Sequence, residues 1–304
     1  MGERKVVVSL LSEQQEFQLV QAADARAAAA RAGLGIEVVF ADNNAVVQIH
    51  QLFKHVHAPE AERPAAIVVE TVTGEGLERV ARNAVAAGIG WVLMNRSVSY
   101  LQSLRELRGD LPIGVVSVDN REAGRIQGRQ LLALLPRGGP VLYVQGPGDT
   151  AAASDRLRGA QETIAGAGIE LRVLNGDWTV QGGEKAVTGW LRLKTSEGFR
   201  PAVVSAQNDA MAVGARRALL AQRPDWKDLV FTGCDGLPEG GQKLVRSGEL
   251  VATIVTPAPA GPAVSLVARA LAGERVESEV NLPPRSYPPE GELGSRTGRR
   301  PAKP

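Results

Sequence analysis

Short apolar runs rich in β-branched residues alternate along the chain with longer segments whose apolar positions recur at helical spacing. The runs cover residues 6–10, 36–41, 66–70, 91–94 and 113–118, then 141–145, 171–175, 202–206, 229–233 and 251–255. Each is almost continuously apolar, as in strands covered on both faces, and strands alternating with helices predict parallel sheets. Helices are predicted over 17–32, 76–87, 121–135, 156–167, 182–193 and 209–222. In the first of these Leu19, Val20, Ala23 and Ala27 share a face, and Gly33 supplies the stop. Two sets of five strands predict an α/β fold of two doubly wound, Rossmann-like lobes with parallel sheets. A further helix over 262–272 and an extended piece over 280–282 follow the tenth strand.

Chain crossings near 118–121, 255–258 and 275–280 are expected to form a three-segment hinge. The N-terminal lobe then takes 1–119 plus 257–276, and the C-terminal lobe takes 120–256 plus 277–288. Residues 289–304 are rich in Gly, Pro, Arg and Lys without periodicity and read as a disordered tail.

Composition narrows the function. The 304 residues suit two cores rather than one, and 44% hydrophobic residues exclude a disordered chain. A net charge of +2 gives no broad basic face for nucleic acid. One cysteine excludes an internal disulfide and a zinc site built on thiolates. His50, His55 and His57 do not fall on one helix face, so they read as solvated helix-end residues and not as a metal site. Cys234 ends a strand with no histidine near any strand end to activate it, and reads as buried packing. The loop Gly146-Pro147-Gly148-Asp149-Thr150 lacks the Gly-Lys-Ser/Thr ending of a phosphate-binding loop. No catalytic constellation, metal site or cofactor motif emerges, so binding without chemistry is the expectation.

No segment approaches the roughly 20 apolar residues of a membrane span. The apolar run Val6-Val7-Val8 after Met1-Gly2-Glu3-Arg4-Lys5 is too short for a secretory signal. Two readings stay open: an exported protein of the periplasm or cell envelope whose signal was removed, or a cytoplasmic protein starting at Met1.

In open parallel sheets ligands bind beyond the carboxyl ends of the strands. The residues there are Gln14, Gln15 and Phe17, Asn95 and Arg96, Asp155-Arg156, Asp177-Trp178, Gln207-Asn208-Asp209, Asp235-Gly236 and Thr256. Paired donors and acceptors on Arg, Asp and Asn can grip adjacent hydroxyls, while an aromatic face covers the C–H face of a sugar ring. Asp209, before Ala210-Met211-Ala212, reads as a helix cap.

Gln207-Asn208-Asp209-Ala210-Met211-Ala212-Val213-Gly214-Ala215, Gly233-Cys234-Asp235-Gly236 and Ala252-Thr253-Ile254 resemble the type I periplasmic binding proteins of the ribose type. The same fold supplies the effector domains of lactose-repressor-like regulators. The resemblance covers about residues 4–287 and implies reversible sugar binding in a cleft between two lobes, without covalent chemistry. Carried over by position, it implies ring-stacking at Phe17 and Trp178. It places hydroxyl-gripping groups at Gln15, Asn95, Arg96, Arg156, Asn208, Asp235 and Thr256. In Arg156-x-x-Gly159 the glycine is expected to permit close helix packing. The sequence departs from the family where a second aromatic of the first loop reads Gln18, where an Asp-Arg pair reads Asn95-Arg96, and where a terminal Gln reads Thr256.

The Asn95 departure leaves Arg96 and Arg156 facing one carboxylate, Asp235, and a buried charge left unpaired is costly. Either the ligand brings negative charge, as a sugar acid would, or Glu13 or Glu16 compensates and the ligand is a neutral sugar. The expected role is the solute-binding component of a sugar ABC transporter, a monomer read by a permease. The alternatives are a ligand sensor without its own DNA-binding domain, read by a sensor protein, and an enzyme acting on a phosphorylated sugar.

Overall fold

The computed structural model describes residues 4–73, 76–95, 98–226 and 228–296. In chain order it runs β1 (Lys5–Leu10), α1 (Glu16–Ala32), β2 (Gly35–Phe40), α2 (Ala45–Val56), β3 (Ala66–Val69), α3 (Glu78–Ala86), β4 (Gly90–Met94), α4 (Leu101–Leu107) and β5 (Ile113–Val118). Then follow α5 (Asn120–Leu134), β6 (Gly139–Gln145), α6 (Ala151–Ile164), β7 (Ile169–Asn175), α7 (Val180–Leu191), β8 (Val203–Ala206), α8 (Asp209–Gln222), β9 (Val230–Thr232), α9 (Gly241–Arg246) and β10 (Thr253–Val255). The chain closes with α10 (Ala260–Leu271), β11 (Glu279–Leu282), β12 (Arg285–Tyr287) and the short α11 (Leu293–Arg296).

These elements form two compact units, Met1–Val118 with Ala258–Leu282, and Asp119–Pro257 with Pro283–Pro304. The first holds a parallel sheet in the order β11-β5-β4-β3-β1-β2. Alternate residues along its strands feed two cores, as a pleat of period two requires. Val7, Ile67, Trp91, Leu93 and Val115 pack with Leu52, Val80, Ala84 and Leu104. Val8, Leu10, Val68, Val92 and Val116 pack with Ala22, Ala25 and Ala29 of α1 and Val264 and Val267 of α10.

The second unit holds the parallel sheet β7-β6-β8-β9. Single bridges, Thr232 to Ala252 and Asp235 to Val255, carry β10 alongside β9, and β12 pairs with β10 antiparallel. One face buries Leu142, Val144, Val204 and Phe231 against Val187, Trp190, Met211 and Leu219. The other buries Val141, Val203 and Ala252 against Leu131, Leu134, Ile164 and Leu293. Helices α5 and α6 lie in close contact at Gly159, where a Cβ would run into the Arg121 carbonyl, as the sequence pattern anticipates.

Three expectations are corrected. The extended piece near 280 was assigned to the C-terminal lobe, but β11 pairs in register with Val115–Val118 of β5, and Val280 and Leu282 pack on the first core. The third passage between units therefore falls after Leu282, not within 275–280. Residues 289–296 are not a disordered tail: Glu290 accepts a hydrogen bond from Arg129 Nε at 3.0 Å, and Leu293 is fully buried. Residues 297–304 lie outside the described residues. Helix α6 starts five residues before the predicted 156, because Thr150 caps it, its Oγ1 accepting from Ala153 N at 3.3 Å. Removing the Leu293 side chain tests the second correction. Leu293→Ala is expected to cost about 2–4 kcal/mol of stability by calorimetry, whereas a disordered tail gives no change.

Candidate functional site

In the first sheet the strand order reverses at β1, which stands between β2 and β3, and such a switch point opens a crevice at the carboxyl ends. Gln15 there is the N-cap of α1, with extended backbone and no side-chain capping bond. Phe17, in the first turn, is half-buried. Gln18, which stands where the family pattern has an aromatic, is buried: its Oε1 accepts from Leu11 N at 3.0 Å, and its Nε2 donates to Glu70 Oε2 at 3.0 Å.

Glu70 is a candidate that the sequence reading does not single out. Only 6% exposed at the end of β3, it also accepts from Gln21 Nε2 at 2.6 Å and, on Oε1, from Asn95 Nδ2 at 3.2 Å. Gln48 Nε2 donates to its carbonyl at 2.8 Å. The available signal was a carboxylate closing an apolar run at the switch point. Asn95 sits after β4 with φ +57°, in the left-handed region that Asn tolerates better than most residues. Glu13 and Glu16, the expected compensating charges, are both exposed. Arg96 lies outside the described residues.

In the second unit the corresponding switch lies between β6 and β8. Arg156 on α6 is buried; its Nε donates to Asn120 Oδ1 at 2.9 Å and its Nη1 to the Gln207 carbonyl at 2.5 Å. Its guanidinium carbon lies 5.7 Å from the centroid of the Trp178 ring, within cation–π range. Trp178 has φ +70°, strained for a bulky residue, and its indole rests on Gly146, where any Cβ would collide with the ring. Asn208 Nδ2 donates to the Trp178 carbonyl at 2.9 Å, and Asn208 Oδ1 accepts from Met211 N at 2.9 Å. Asn208 therefore both caps α8 and holds the Trp178 backbone.

Below this cluster a hydrogen-bonded chain fixes the strands. Tyr143 donates to Gln127 Oε1 at 2.6 Å, Gln207 Nε2 donates to Tyr143 Oη at 3.2 Å, and Gln207 Oε1 accepts from Gly146 N at 3.0 Å. Burial pushes the Tyr143 phenol far above its ordinary range, so it stays a neutral donor.

Asp235, with φ +111°, is partly exposed beyond β9. Its carbonyl accepts from Thr256 N at 3.1 Å, and Thr256, itself buried, brings Oγ1 to 3.5 Å from the same oxygen. Trp178 thus meets both Arg156 and Asn208, and Asp235 and Thr256 form a second pair. Cys234 is fully buried and its thiol is pushed up to about 12, chiefly by desolvation, which removes it as a nucleophile. The histidines scatter along α2 and its end. His50 is exposed mid-helix, His55 Nε2 lies 3.6 Å from Glu37 Oε1, and His57 stacks on Phe53. Among the described residues no helix is long and apolar enough to cross a membrane.

Residues 6–275 match the model of the periplasmic binding protein domain family. The ribose import binding protein of Salmonella typhimurium is 33% identical over 174 residues, 57% of this chain and 56% of that protein. A putative rhizopine-binding protein of Rhizobium meliloti is 27% identical over 225 residues, 72% of this chain and 69% of that relative. The match thus spans little more than half the length of the ribose relative. The crystal structure of the Caulobacter myo-inositol binding protein with myo-inositol bound superposes with a TM-score of 0.80 at 22% identity, covering 98% of each chain, a likeness of fold. The family match runs from β1 past α10 and so through both units: this chain belongs to the periplasmic binding protein family.

Proposed function

We propose that this chain binds a small neutral sugar or sugar-like polyol reversibly, as the solute-binding component of an ABC transporter working outside the cytoplasm. The observation that carries the reading is the Arg156–Trp178 pair on Gly146. It couples a fixed bidentate donor to an aromatic face whose backbone Asn208 holds in a strained conformation. Strain of that kind persists where the surroundings over-determine it, as at ligand clamps. Glu70 supports the neutral ligand over the sugar acid. It holds buried negative charge at the strand ends of the first unit, which would repel an acid group brought there by the ligand. The first unit contributes Gln15, Phe17, Asn95 and Arg96, and the second contributes Arg156, Trp178, Asn208, Asp235 and Thr256. Of the second group, Asn208 and Thr256 act more through their neighbours than the sequence pattern implies. A ligand that binds one conformation of the chain better than others shifts the population toward it, and that shift is what a permease reads.

The test is a thermal-shift screen over neutral pentoses, hexoses and inositols against sugar acids and polyol phosphates. A ligand at a hundredfold excess over its Kd adds about 2.7 kcal/mol of stability. Neutral compounds are expected to raise the melting temperature. Shifts from acids alone contradict the neutral ligand, and no shift from any compound contradicts sugar binding.

A further inference from the structure

We propose that Glu70 is a positioning residue that decides which end of the Asn95 amide meets the ligand. The inference rests on the sugar-binding reading and names how one of its contacts is polarised.

A carboxylate only accepts hydrogen bonds, whereas an asparagine amide has a donor end and an acceptor end of nearly equal shape. Left alone, Asn95 could turn either end outward. Glu70 removes the choice. Its Oε1 takes the Asn95 Nδ2 bond at 3.2 Å, so the donor end points inward and Oδ1 is left for a ligand hydroxyl. Glu70 cannot swing away to relax this. Its other oxygen receives Gln18 Nε2 and Gln21 Nε2, and its carbonyl receives Gln48 Nε2.

Gln21 shows how strong the constraint is. Its donor end reaches Glu70 even though this leaves its Oε1 buried with no hydrogen-bond partner among the described residues. An orphaned buried acceptor costs stability, so the pull of the acceptor-only carboxylate outweighs that cost. Asn95 stands one residue past β4 at φ +57°, its N–H still bonded to the Val116 carbonyl at 3.1 Å, which fixes the backbone from which its side chain reaches Glu70. Strands β3 and β4 pair in register from Ala66 with Gly90 to Val69 with Leu93, which puts the ends carrying Glu70 and Asn95 side by side.

The consequence is a sign pattern that ordinary packing does not produce. In Glu70→Gln the introduced carboxamide keeps its oxygen toward Gln18 and Gln21 and turns its NH₂ toward Asn95. Asn95 must then flip, offering the ligand a donor in place of an acceptor. In Asn95→Asp two carboxylates face each other in a buried setting and repel. In the double variant Glu70→Gln/Asn95→Asp the introduced NH₂ donates to the introduced carboxylate, whose second oxygen again faces outward as an acceptor. Asp tolerates the left-handed backbone as Asn does, so neither change strains the chain.

The experiment is a double-substitution cycle on the full chain, read by titration calorimetry with ribose and with myo-inositol, and by thermal melting without ligand. Each single substitution is expected to weaken binding of whichever probe the wild type binds by roughly tenfold or more, the effect of a lost or reversed hydrogen bond to a charged or fixed group. The double variant is expected to bind better than either single one, and ligand-free melting is expected to fall for Asn95→Asp and recover in the double variant. A merely structural Glu70 would give losses that add, as independent sites do. Additive losses, or a Glu70→Gln variant that binds like the wild type, overturn the positioning role alone. A wild type that binds neither probe nor any other neutral compound of the screen overturns the sugar-binding reading and this role with it.

Discussion

Asp209→Ala is expected to lower the melting temperature of the second unit by about 6–12 °C, the effect of losing ~3 kcal/mol in a unit of this size. Asp209 opens α8 and is buried; its Oδ1 accepts from Thr253 Oγ1 at 2.6 Å and its Oδ2 from Gly236 N at 2.8 Å. Those bonds tie α8 to β10 and to the turn that carries Asp235. The sequence reads Asp209 as a helix cap, but Asn208 is the cap and Asp209 is a clamp one residue on. Removing the carboxylate strands a buried hydroxyl and a buried N–H, each of which loses a charge-assisted partner. Calorimetry on the ligand-free chain checks it, and a change below ~1 kcal/mol would show that the clamp does not hold the turn.

Arg156→Lys is expected to weaken ligand binding about a hundredfold, or ~2.7 kcal/mol. The charge survives this change, so the loss isolates geometry. Arg156 uses a planar fork to reach Asn120 Oδ1 and the Gln207 carbonyl while its face lies toward Trp178. A lysine ammonium is a point charge on a flexible stem and cannot fill the three roles together. Titration of the best ligand from the screen reads the effect, and affinity within about threefold of the wild type contradicts it.

The strands were legible because their runs are continuously apolar, and both sheets were drawn from them in the right chain order. What escaped were pieces whose structure comes from distant partners. β11 has four residues alternating between partial and full exposure, and only its register with β5 makes it a strand of the first sheet. β12 has three residues and exists by pairing with β10. Leu293 is an isolated apolar residue in a Gly- and Arg-rich stretch, and nothing local marks it as core.

The candidate site shows the same division. The strand-end rule singles out Arg156, Trp178, Asn208 and Asp235 as candidates because position along a parallel sheet is a local property. It did not assign their partners. Asn208 reads as a hydroxyl-gripping group by motif, yet its amide caps α8 and bonds the Trp178 carbonyl. The expected charge balance falls on Glu13 and Glu16, both exposed and screened by solvent, while the first unit buries the Glu70 carboxylate. Its partners Gln18, Gln21 and Asn95 lie up to 52 residues away in sequence. Amides converging on a carboxylate leave no spacing to read.

The central claim is reversible binding of a neutral polyol, and titration calorimetry of the wild-type chain with neutral sugars and inositols, beside their acid counterparts, tests it most directly. The expected result is saturable one-site binding of at least one neutral compound, recovered chemically unchanged, and weaker or no binding of the matching acid. Heat of binding from acids alone, or from no compound in the panel, would contradict it.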